Sequence, residues 1–574
     1  MSDRRSTWLR VINVGAIGGV VSVFIALTGM VTAFSERYII GGVVDMGRTL
    51  ILIALFVTTQ FALRRAKLSG QRSGMAVAAP ALAGMVNALF LALLVLILTA
   101  EPTIRTIFVN ATPKLVGILT YGQDSTTGIL LLLGLGVLIG ALTGLMNWLP
   151  GAVRSSLITA VGLTVLIGLL QELLTVTFQN SEIAQPLSKF LFASSGLEPV
   201  GAIVVFITVF VIGYLRATRG GQAQARVAAL PTSQQRALRL ALIALFAFIL
   251  LILPQMLGLF FSEVLVNVGL FVLMGLGLNI VVGFAGLLDL GYVAFYAIGA
   301  YSVAVFTSTS KEIAFAGGFP FWVGLPVAVL LAVTGGVILG IPVLKVRGDY
   351  LAIVTLGFGE IIRLLALSDF LKPYFGGSRG VELIPRPFIG SFEFKDTQML
   401  YYIVLAGCLL VAFVSTRVKN SRIGRAWMAM REDEDVAQAM GINLVTTKLL
   451  AFGMGASFAG IGGAIFASKL QIIYPHSFNF IISINVLALI IVGGMGSIPG
   501  VIVGGLALVG LPELLREFAD FRYLVYGAVL VLMMIARPEG LWPEQTRLRE
   551  LHEAIEEEKL DGLDAAEREA AREG

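Results

Sequence analysis

The sequence predicts an all-α protein that crosses a membrane many times. Of its 574 residues, 57% are hydrophobic and only 13% are charged, and the mean hydropathy of +0.90 lies outside the range of soluble domains. Apolar residues form runs, such as 11–34, 75–100 and 241–261, each long enough as a helix to cross a hydrocarbon core of ~30 Å. These runs are apolar on all sides, whereas the strands of a membrane barrel alternate apolar and polar residues. We expect about fifteen transmembrane helices, some of them interrupted or re-entrant.

The first apolar run and the charged loops predict the orientation. Three arginines precede that run, but it is too long for a cleaved secretion signal and lacks a small-residue cleavage site, so we expect a retained first helix. With both termini cytoplasmic in an inner membrane, the basic residues gather in the inner loops. This bias explains the net charge of +5 without a nucleic-acid partner. The basic residues of these loops are Arg64, Arg65, Lys67, Arg72, Arg154, Arg216, Arg219, Arg226, Arg236, Arg239, Arg417, Lys419, Arg422 and Arg425.

A basic linker over residues 216–239 divides the chain. We expect an N-terminal accessory transmembrane block over residues 1–235 and a C-terminal transmembrane core over 236–543. The remaining residues, 544–574, are rich in Glu and poor in apolar side chains, which is typical of a solvated cytoplasmic helix or a disordered tail.

Motifs for catalysis or nucleotide binding are missing from the sequence. It contains no G-x-x-x-x-G-K-[ST] and no H-E-x-x-H pattern, which mark nucleotide and metal sites. A G-x-S-x-G match at residues 376–380 follows an apolar helical run and not the strand that a nucleophile elbow needs. A lone Cys408 and only two histidines argue against a disulfide framework and a metal centre. We therefore expect no enzyme activity, no metal and no cofactor. Uphill transport would draw its energy from a partner ATPase or from an ion gradient.

Glycine clusters within the apolar runs of the C-terminal part. Five glycines crowd residues 453–463, and Gly496, Gly500 and Gly504 follow one another at G-x-x-x-G spacing, which favours close packing of helix backbones. The segment 492–500 also contains Pro499 and predicts an interrupted helix near a cavity. Gly493, Gly494 and Gly496 are therefore candidate residues of a translocation pathway.

Polar residues inside the apolar runs are further candidates, because a charge at membrane depth is costly unless it is paired or reached by water. Glu360 and Arg363 share a helix face at a spacing of three, so either they neutralise each other or they act in gating. Asp289 follows a glycine-containing turn and either caps a helix or faces the pathway. The other candidates, for which an interhelical hydrogen bond is the alternative, are Asn267, Asn279, Tyr292, Thr355, Ser483 and Asn485.

The polar segment, residues 417–448, has a different character from the apolar runs around it. Within it, residues 426–440 have apolar side chains at steps of mostly three or four, interrupted by a charged run, and Gly441 follows. This pattern predicts one short amphipathic helix that ends at the glycine. Two interpretations stay open on physical grounds, a helix presented to a partner and an ordinary solvated loop helix.

Four blocks in the C-terminal part resemble a known family. They read GLGLNIVVG at 275–283, VRGDYLAIVTLGFGEI at 346–361, GRAW at 424–427 with REDE at 431–434, and RPEGL at 537–541. In this order they resemble the M-type (LivM-type) permease of ABC importers for branched-chain amino acids. The resemblance runs from about residue 264 to 543, and several long blocks in order are far more specific than one short motif.

The resemblance implies an ABC importer permease core that forms half of a translocation pathway for branched-chain amino acids. Its implied partners are an H-type permease, two ABC ATP-binding subunits and a periplasmic amino-acid-binding protein. It also implies that the polar segment contains the coupling helix to the ATPase, with charged residues toward the ATPase and Trp427 and Met440 as apolar anchors. The implied coupling residues are Trp427, Arg431, Glu432, Glu434, Met440 and Gly441.

An ion-coupled secondary transporter of small polar solutes is the alternative function. It would place a proton or sodium site at Asp289 or Glu360. Such a carrier has no need of a coupling helix, which favours the importer. The N-terminal block is longer than a minimal permease requires, and we expect its helices to be peripheral.

Overall fold

A computed structural model describes residues 2–66, 74–101, 103–179, 185–193, 196–228, 230–344, 346, 348–518, 521–537 and 539–544. The chain divides into two compact units, Met1–Phe248 and Ile249–Gly574. The segment boundary near residue 235 stays a prediction, and the predicted tail lies outside the described residues except for Glu544.

The first unit is a set of helices with one small sheet. Its helices are α1 (Ser2–Leu27), α2 (Met30–Ala33), α3 (Met46–Arg65), α4 (Gly74–Ala100), α5 (Ile104–Ile107), α6 (Pro113–Leu119), α7 (Ser125–Met146), α8 (Gly151–Leu169), α9 (Gln171–Gln179), α10 (Gln185–Leu191) and α11 (Pro199–Ala228). Its strands are β1 (Tyr38–Ile40), β2 (Val44–Asp45), β3 (Phe192–Ala193) and β4 (Gly196–Leu197). They form a sheet in the order β2-β1-β4-β3.

The helices of the first unit pack through small and polar residues. A Cβ built on Gly84 of α4 would lie 2.1 Å from the carbonyl oxygen of Gly136 on α7, so the two backbones touch. The Asn87 amide donates to Thr58 Oγ1 at 2.9 Å, an interhelical bond inside an apolar unit. The predicted first span 11–34 is too long, because α1 ends at Leu27 and Gly29 follows with a left-handed φ of 88°.

The second unit contains the region of the family resemblance. The helix α12 (Thr232–Leu278) enters it from the first unit, and its further helices are α13 (Val293–Thr307), α14 (Phe321–Val343), α15 (Asp349–Leu367), α16 (Lys372–Phe375), α17 (Thr397–Lys419), α18 (Arg422–Glu432), α19 (Glu434–Ala439), α20 (Leu444–Leu470), α21 (Phe480–Gly493), α22 (Ile498–Gly505), α23 (Leu511–Leu514) and α24 (Phe521–Ala536). The π-helices Asn279–Phe284 and Leu506–Gly510 follow α12 and α22. A two-residue hairpin pairs β5 (Phe388–Ile389) with β6 (Phe392–Glu393).

The helix α12 is broken inside a predicted apolar run. Gly258 has φ 77° and ψ −172°, which are not helical values, and Pro254 lies one turn before it. The predicted span 241–261 is therefore wrong at its end, because the helix is interrupted at Gly258 and then continues to Leu278. Ser262 Oγ donates to the Gly258 carbonyl at 2.7 Å and satisfies an acceptor that the break exposes.

The glycine-rich helix α20 forms the centre of the second unit. A Cβ on Gly463 would lie 2.0 Å from the carbonyl oxygen of Tyr296, and one on Gly460 would lie 2.7 Å from Ala332 Cβ. The close helix packing expected from the glycine cluster is confirmed at these two positions.

Within the described part of the chain, twelve helices are long and apolar enough to cross a membrane. One of them, Ser233–Phe284, has 52 residues, more than twice the ~20 that a crossing needs. Two shorter apolar helical segments are Val293–Thr307 and Ile498–Leu514. The all-α polytopic class is confirmed, whereas a count of about fifteen spans is not.

Candidate functional site

The first candidate feature is an interrupted helix after α12. The chain passes through the π-helix Asn279–Phe284 and then leaves helical geometry until α13 begins at Val293. We name residues 285–292 the non-helical segment. Asp289 and Tyr292 within it are fully buried, so its backbone polar groups need partners from the protein.

Side chains from two other helices accept from backbone amides at the end of this segment, and a third helix accepts from the Tyr292 side chain. Thr355 Oγ1 on α15 accepts from the Leu290 amide at 3.0 Å, and Ser483 Oγ on α21 accepts from the Val293 amide at 2.9 Å. The Tyr292 hydroxyl donates to the Gly455 carbonyl on α20 at 2.7 Å. These bonds hold the non-helical segment between α15, α20 and α21.

Asp289 acts locally within the same segment. Its Oδ1 accepts from the Gly291 amide at 2.9 Å. This is a local turn bond and not the predicted helix cap, because α13 begins after Tyr292 without a side-chain cap, and a role in the pathway stays a prediction. Its second oxygen is buried without a hydrogen-bond partner among the described residues, and so is the Asn279 Nδ2.

The second candidate feature is the break between α21 and α22. Gly494 and Gly496 have φ values of 116° and 80°, which strain any residue with a side chain, and Ser497 Oγ accepts from the Gly500 amide at 3.1 Å to start α22. The predicted interruption is therefore confirmed. The G-x-x-x-G step from Gly496 to Gly500 is wrong as a helical packing motif, because Gly496 lies outside any helix.

The two helices on either side of this break pack against each other through glycine. A Cβ on Gly493 would lie 2.1 Å from the Gly500 carbonyl oxygen, and one on Gly504 would lie 2.3 Å from the Leu489 carbonyl oxygen. The break thus makes a tight hairpin of α21 and α22.

The two interruptions contact each other directly. Asn279 Oδ1 in the first π-helix accepts from the Gly496 amide at 2.8 Å. Lys419 Nζ, at the end of α17, donates to the Gly496 carbonyl at 3.4 Å. Both backbone groups of Gly496 are therefore held by side chains from distant parts of the sequence.

The polar segment forms two helices where one was predicted. Asp433 Oδ1 accepts from the amides of Asp435 and Val436 at 2.8 and 3.0 Å, so Asp433 caps a new helix and ends α18. The single helix predicted over residues 426–440 is wrong for this reason. Its predicted end is confirmed, since Gly441 follows α19 with a left-handed φ of 88°.

Three of the predicted coupling residues face the protein interior. Trp427 is fully buried and its indole donates to the Thr447 carbonyl at 2.8 Å, as expected of an anchor. Arg431 Nη1 donates to the carbonyl of Gly283, in the first π-helix, at 2.9 Å. Glu434 forms an ion pair of 2.9 Å with Lys448, whose side chain is only 2% exposed.

The opposite side of the polar segment is open to its surroundings. Val436 is 59% exposed, Met440 is 80% exposed, and the Glu432 side chain is 64% exposed. The expectation that Met440 anchors the segment is wrong, because the break at Asp433 turns α19 so that Met440 points away from the unit.

The residues that follow α24 contact the break between α21 and α22 and the end of α17. The amides of Leu541 and Trp542 donate to the carbonyls of Val492 and Gly493 at 2.8 and 2.9 Å. Glu544 forms an ion pair with Lys419. We name residues 541–544 the C-terminal strap, since it ties the end of α21 to the end of α17.

The remaining predicted residues lie apart from this cluster. Asn267 Oδ1 accepts from Lys469 at 2.5 Å, and Lys469 also pairs with Glu263 at 2.6 Å. Asn485 is partly buried on α21. Glu360 and Arg363 form the predicted pair on α15, with hydrogen bonds of 3.0 and 3.1 Å from Arg363 Nε.

Two lysines were missed although the sequence contains a signal for them. Lys448 and Lys469 lie near the two ends of the apolar run that becomes α20, and a lysine inside such a run needs a partner. The partners, Glu434 and Glu263, lie in other elements, so spacing alone could not identify them.

The family described as the permease component of branched-chain amino acid transport systems matches residues 260–535. The chain is 42% identical over 297 residues to the high-affinity branched-chain amino acid transport system permease protein LivM of Escherichia coli strain K12, covering 48% of this chain and 68% of the relative. No solved structure matches.

Two further relatives extend the comparison. The chain is 30% identical over 195 residues to the corresponding protein LivH of Escherichia coli strain K12, covering 32% of this chain and 62% of the relative. It is 24% identical over 325 residues to a probable LivM of Methanocaldococcus jannaschii, covering 50% of this chain and 93% of the relative. The chain is therefore a multi-pass inner-membrane permease and belongs, as a LivM-type member, to the family of permease components of branched-chain amino acid transport systems.

Proposed function

We propose that this chain is one permease half of an ATP-driven importer for branched-chain amino acids. An H-type permease supplies the other half of the pathway, two ATP-binding subunits drive transport, and an extracytoplasmic binding protein delivers the amino acid. Both termini are cytoplasmic in this proposal, and the first unit is an accessory block. The proposal rests on the family and on one observation, the hydrogen bond from Arg431 in the polar segment to Gly283 in the interrupted helix.

That bond gives a direct route for mechanical coupling. An ATPase that docks on the exposed side of the polar segment shifts α18, and Arg431 transmits the shift to the Gly283 carbonyl. From there Asn279 reaches Gly496 at the second interruption. Interrupted helices have few backbone bonds of their own to break, so they can adopt two arrangements at low cost.

The predicted pathway residues take different roles in this proposal. Thr355, Ser483 and Tyr292 hold the non-helical segment and set its position in each state. Asp289, Asn279 and the glycines at 493, 494 and 496 form the parts that move. Asn267, Asn485 and Glu360 lie outside this moving cluster.

The decisive experiment is leucine uptake into proteoliposomes that contain this chain, an H-type permease, the ATPases and the binding protein. We expect uptake to require ATP and every partner. The variant Arg431→Ala is expected to lower uptake roughly tenfold while ATP hydrolysis continues, since a hydrogen bond from a charged donor contributes about 1.5–3 kcal/mol. Arg425→Ala is the matched control, because that arginine lies on the same helix and, among the described residues, its side chain bonds only to the nearby Asn420 carbonyl.

Uptake by this chain alone, driven by a proton or sodium gradient, would contradict the importer and support a carrier. Equal uptake by the Arg431→Ala variant and the wild type would leave the importer intact and refute the coupling route.

A second prediction concerns the docking surface itself. The double variant Val436→Ser, Met440→Ser is expected to raise the Kd for the ATPase by roughly tenfold, because central apolar contacts contribute more than about 1 kcal/mol each. The Tm of the isolated permease should not change, since both side chains are exposed. Affinity is measured by binding of labelled ATPase to the permease in nanodiscs. Phe370→Ser is the control, because this side chain is 85% exposed and follows the C-terminal end of α15, outside the polar segment. An equal loss of ATPase affinity in both variants would refute the assignment of Val436 and Met440 to the docking surface.

A further inference from the structure

The helix α15 carries charge on an exposed face within a membrane span. Its 19 residues form one of the candidate spans, and Glu360 and Arg363 lie beyond its middle. The Glu360 side chain is 45% exposed and that of Arg363 is 22% exposed. Their mutual hydrogen bonds partly compensate the two opposite charges, but one side of the carboxylate and of the guanidinium stays exposed at the protein surface.

Lipid does not fit against such a face. A pair of ionised groups in hydrocarbon loses its hydration, and charged residues at this depth face the protein interior or water. The neighbouring helices show what a lipid-facing surface looks like in this unit. The exposed large residues in the middle of α14 and α17 include Leu330, Val337, Leu409 and Phe413, and all four are apolar.

The rest of the exposed face of α15 is open and mainly apolar. Ile353, Ile361 and Leu364 are 66%, 54% and 52% exposed, and no atom of another described element lies within 4 Å of a Cβ built on Gly357. We name these four residues the open face of α15. An apolar strip beside a paired carboxylate and guanidinium matches a small zwitterion with an aliphatic side chain.

The other side of α15 is tied to the moving cluster. A Cβ on Gly359 would lie 3.3 Å from Gly291 Cα, and Thr355 holds the Leu290 amide. A shift of the non-helical segment therefore carries α15 with it.

We propose that the open face of α15 lines the water-filled translocation pathway, and that Glu360 and Arg363 contact the ammonium and carboxylate groups of the transported amino acid. This inference rests on the proposed function and assigns its substrate contacts. The interior polar residues then shape the wall, while the exposed face of α15 meets the substrate.

The test uses the single cysteine of the chain. Cys408 is replaced by alanine, and ATP-dependent leucine uptake of this variant is measured first. Single cysteines are then introduced as Ile353→Cys, Gly357→Cys, Ile361→Cys and Leu364→Cys, with Leu330→Cys on α14, where the leucine is 66% exposed, as the lipid-facing control. In the assembled complex, we expect a membrane-impermeant methanethiosulfonate to react with the first four roughly tenfold faster or more than with the control, and leucine with its binding protein to slow the reaction.

Uptake that persists while no open-face cysteine reacts faster than the control would overturn this inference and leave the importer standing. A second pair of variants tests the substrate contact. Glu360→Gln should lower uptake at least tenfold, and the exchange Glu360→Arg, Arg363→Glu should not restore it although it keeps an ion pair. Full recovery in the exchanged variant would show a purely structural pair and overturn the contact.

Discussion

Replacing Gly291 with alanine is expected to destabilise the protein by about 3 kcal/mol, the upper part of the usual range for overpacking. A Cβ at this position would lie 1.7 Å from the Thr355 carbonyl oxygen and 2.4 Å from its carbon, and neither backbone atom can rotate away. The non-helical segment would have to leave α15, which also strains the bond between Leu290 and Thr355. The measurement is the Tm of the purified protein in detergent.

Gly357→Ala is the matched control on the facing helix. No atom of another described element lies within 4 Å of a Cβ at that glycine, and alanine stabilises a helix by about 1 kcal/mol relative to glycine. We expect the same or a higher Tm. A Tm for Gly291→Ala equal to that of the wild type would mean that the non-helical segment does not pack on α15.

Replacing Lys448 with methionine is expected to cost about 3 kcal/mol, near the lower end of the range for an ion pair that loses one buried partner. Lys448 is 2% exposed and Glu434 is 21% exposed, so the carboxylate would keep little of its hydration. We expect leucine uptake per ATP hydrolysed to fall more strongly than the Tm, because Glu434 begins α19 in the polar segment. Both Tm and leucine uptake per ATP hydrolysed are measured.

Two further variants separate charge from packing at this pair. The double variant Glu434→Gln, Lys448→Met removes the stranded charge and should recover most of the Tm. Lys395→Met removes a partner from the exposed pair with Glu393 and should change stability by less than about 1 kcal/mol. No loss of Tm in Lys448→Met would show that Glu434 finds another partner or stays hydrated.

Local patterns allowed two correct predictions whose cause was local. The spacing of three between Glu360 and Arg363 on a helix was enough to predict their pairing. The glycines and proline of residues 492–500 predicted a break, because glycine in a helix costs backbone entropy and proline removes a helical hydrogen bond.

Contacts between distant residues could not be predicted in this way. Arg431 and Gly283 lie in different blocks of the sequence, and Arg431 was expected to face the ATPase. The break at Asp433 was missed because residues 432–435 are all acidic and any of them could have capped a helix. Gly291 and Gly357 look equivalent in the sequence, and only tertiary packing distinguishes them.

The small sheet of the first unit also has no signal in the sequence. Its strands have two or three residues, too few for an alternating pattern. The parallel pairing of Ile40 with Leu197 joins segments that are far apart in the chain. The first unit therefore contains a contact between distant segments that its sequence does not predict.

The C-terminal strap has a consequence for how the protein is made. Val492 and Gly493 enter the membrane well before Leu541 and Trp542 leave the ribosome, so the carbonyls at the end of α21 have no final partner during that interval. Buried carbonyls without a partner are costly, and the hairpin of α21 and α22 gains these two partners only after residues 541 and 542 have been made. A nascent chain stalled before Leu541 would therefore hold an unfinished permease that quality-control proteases can recognise.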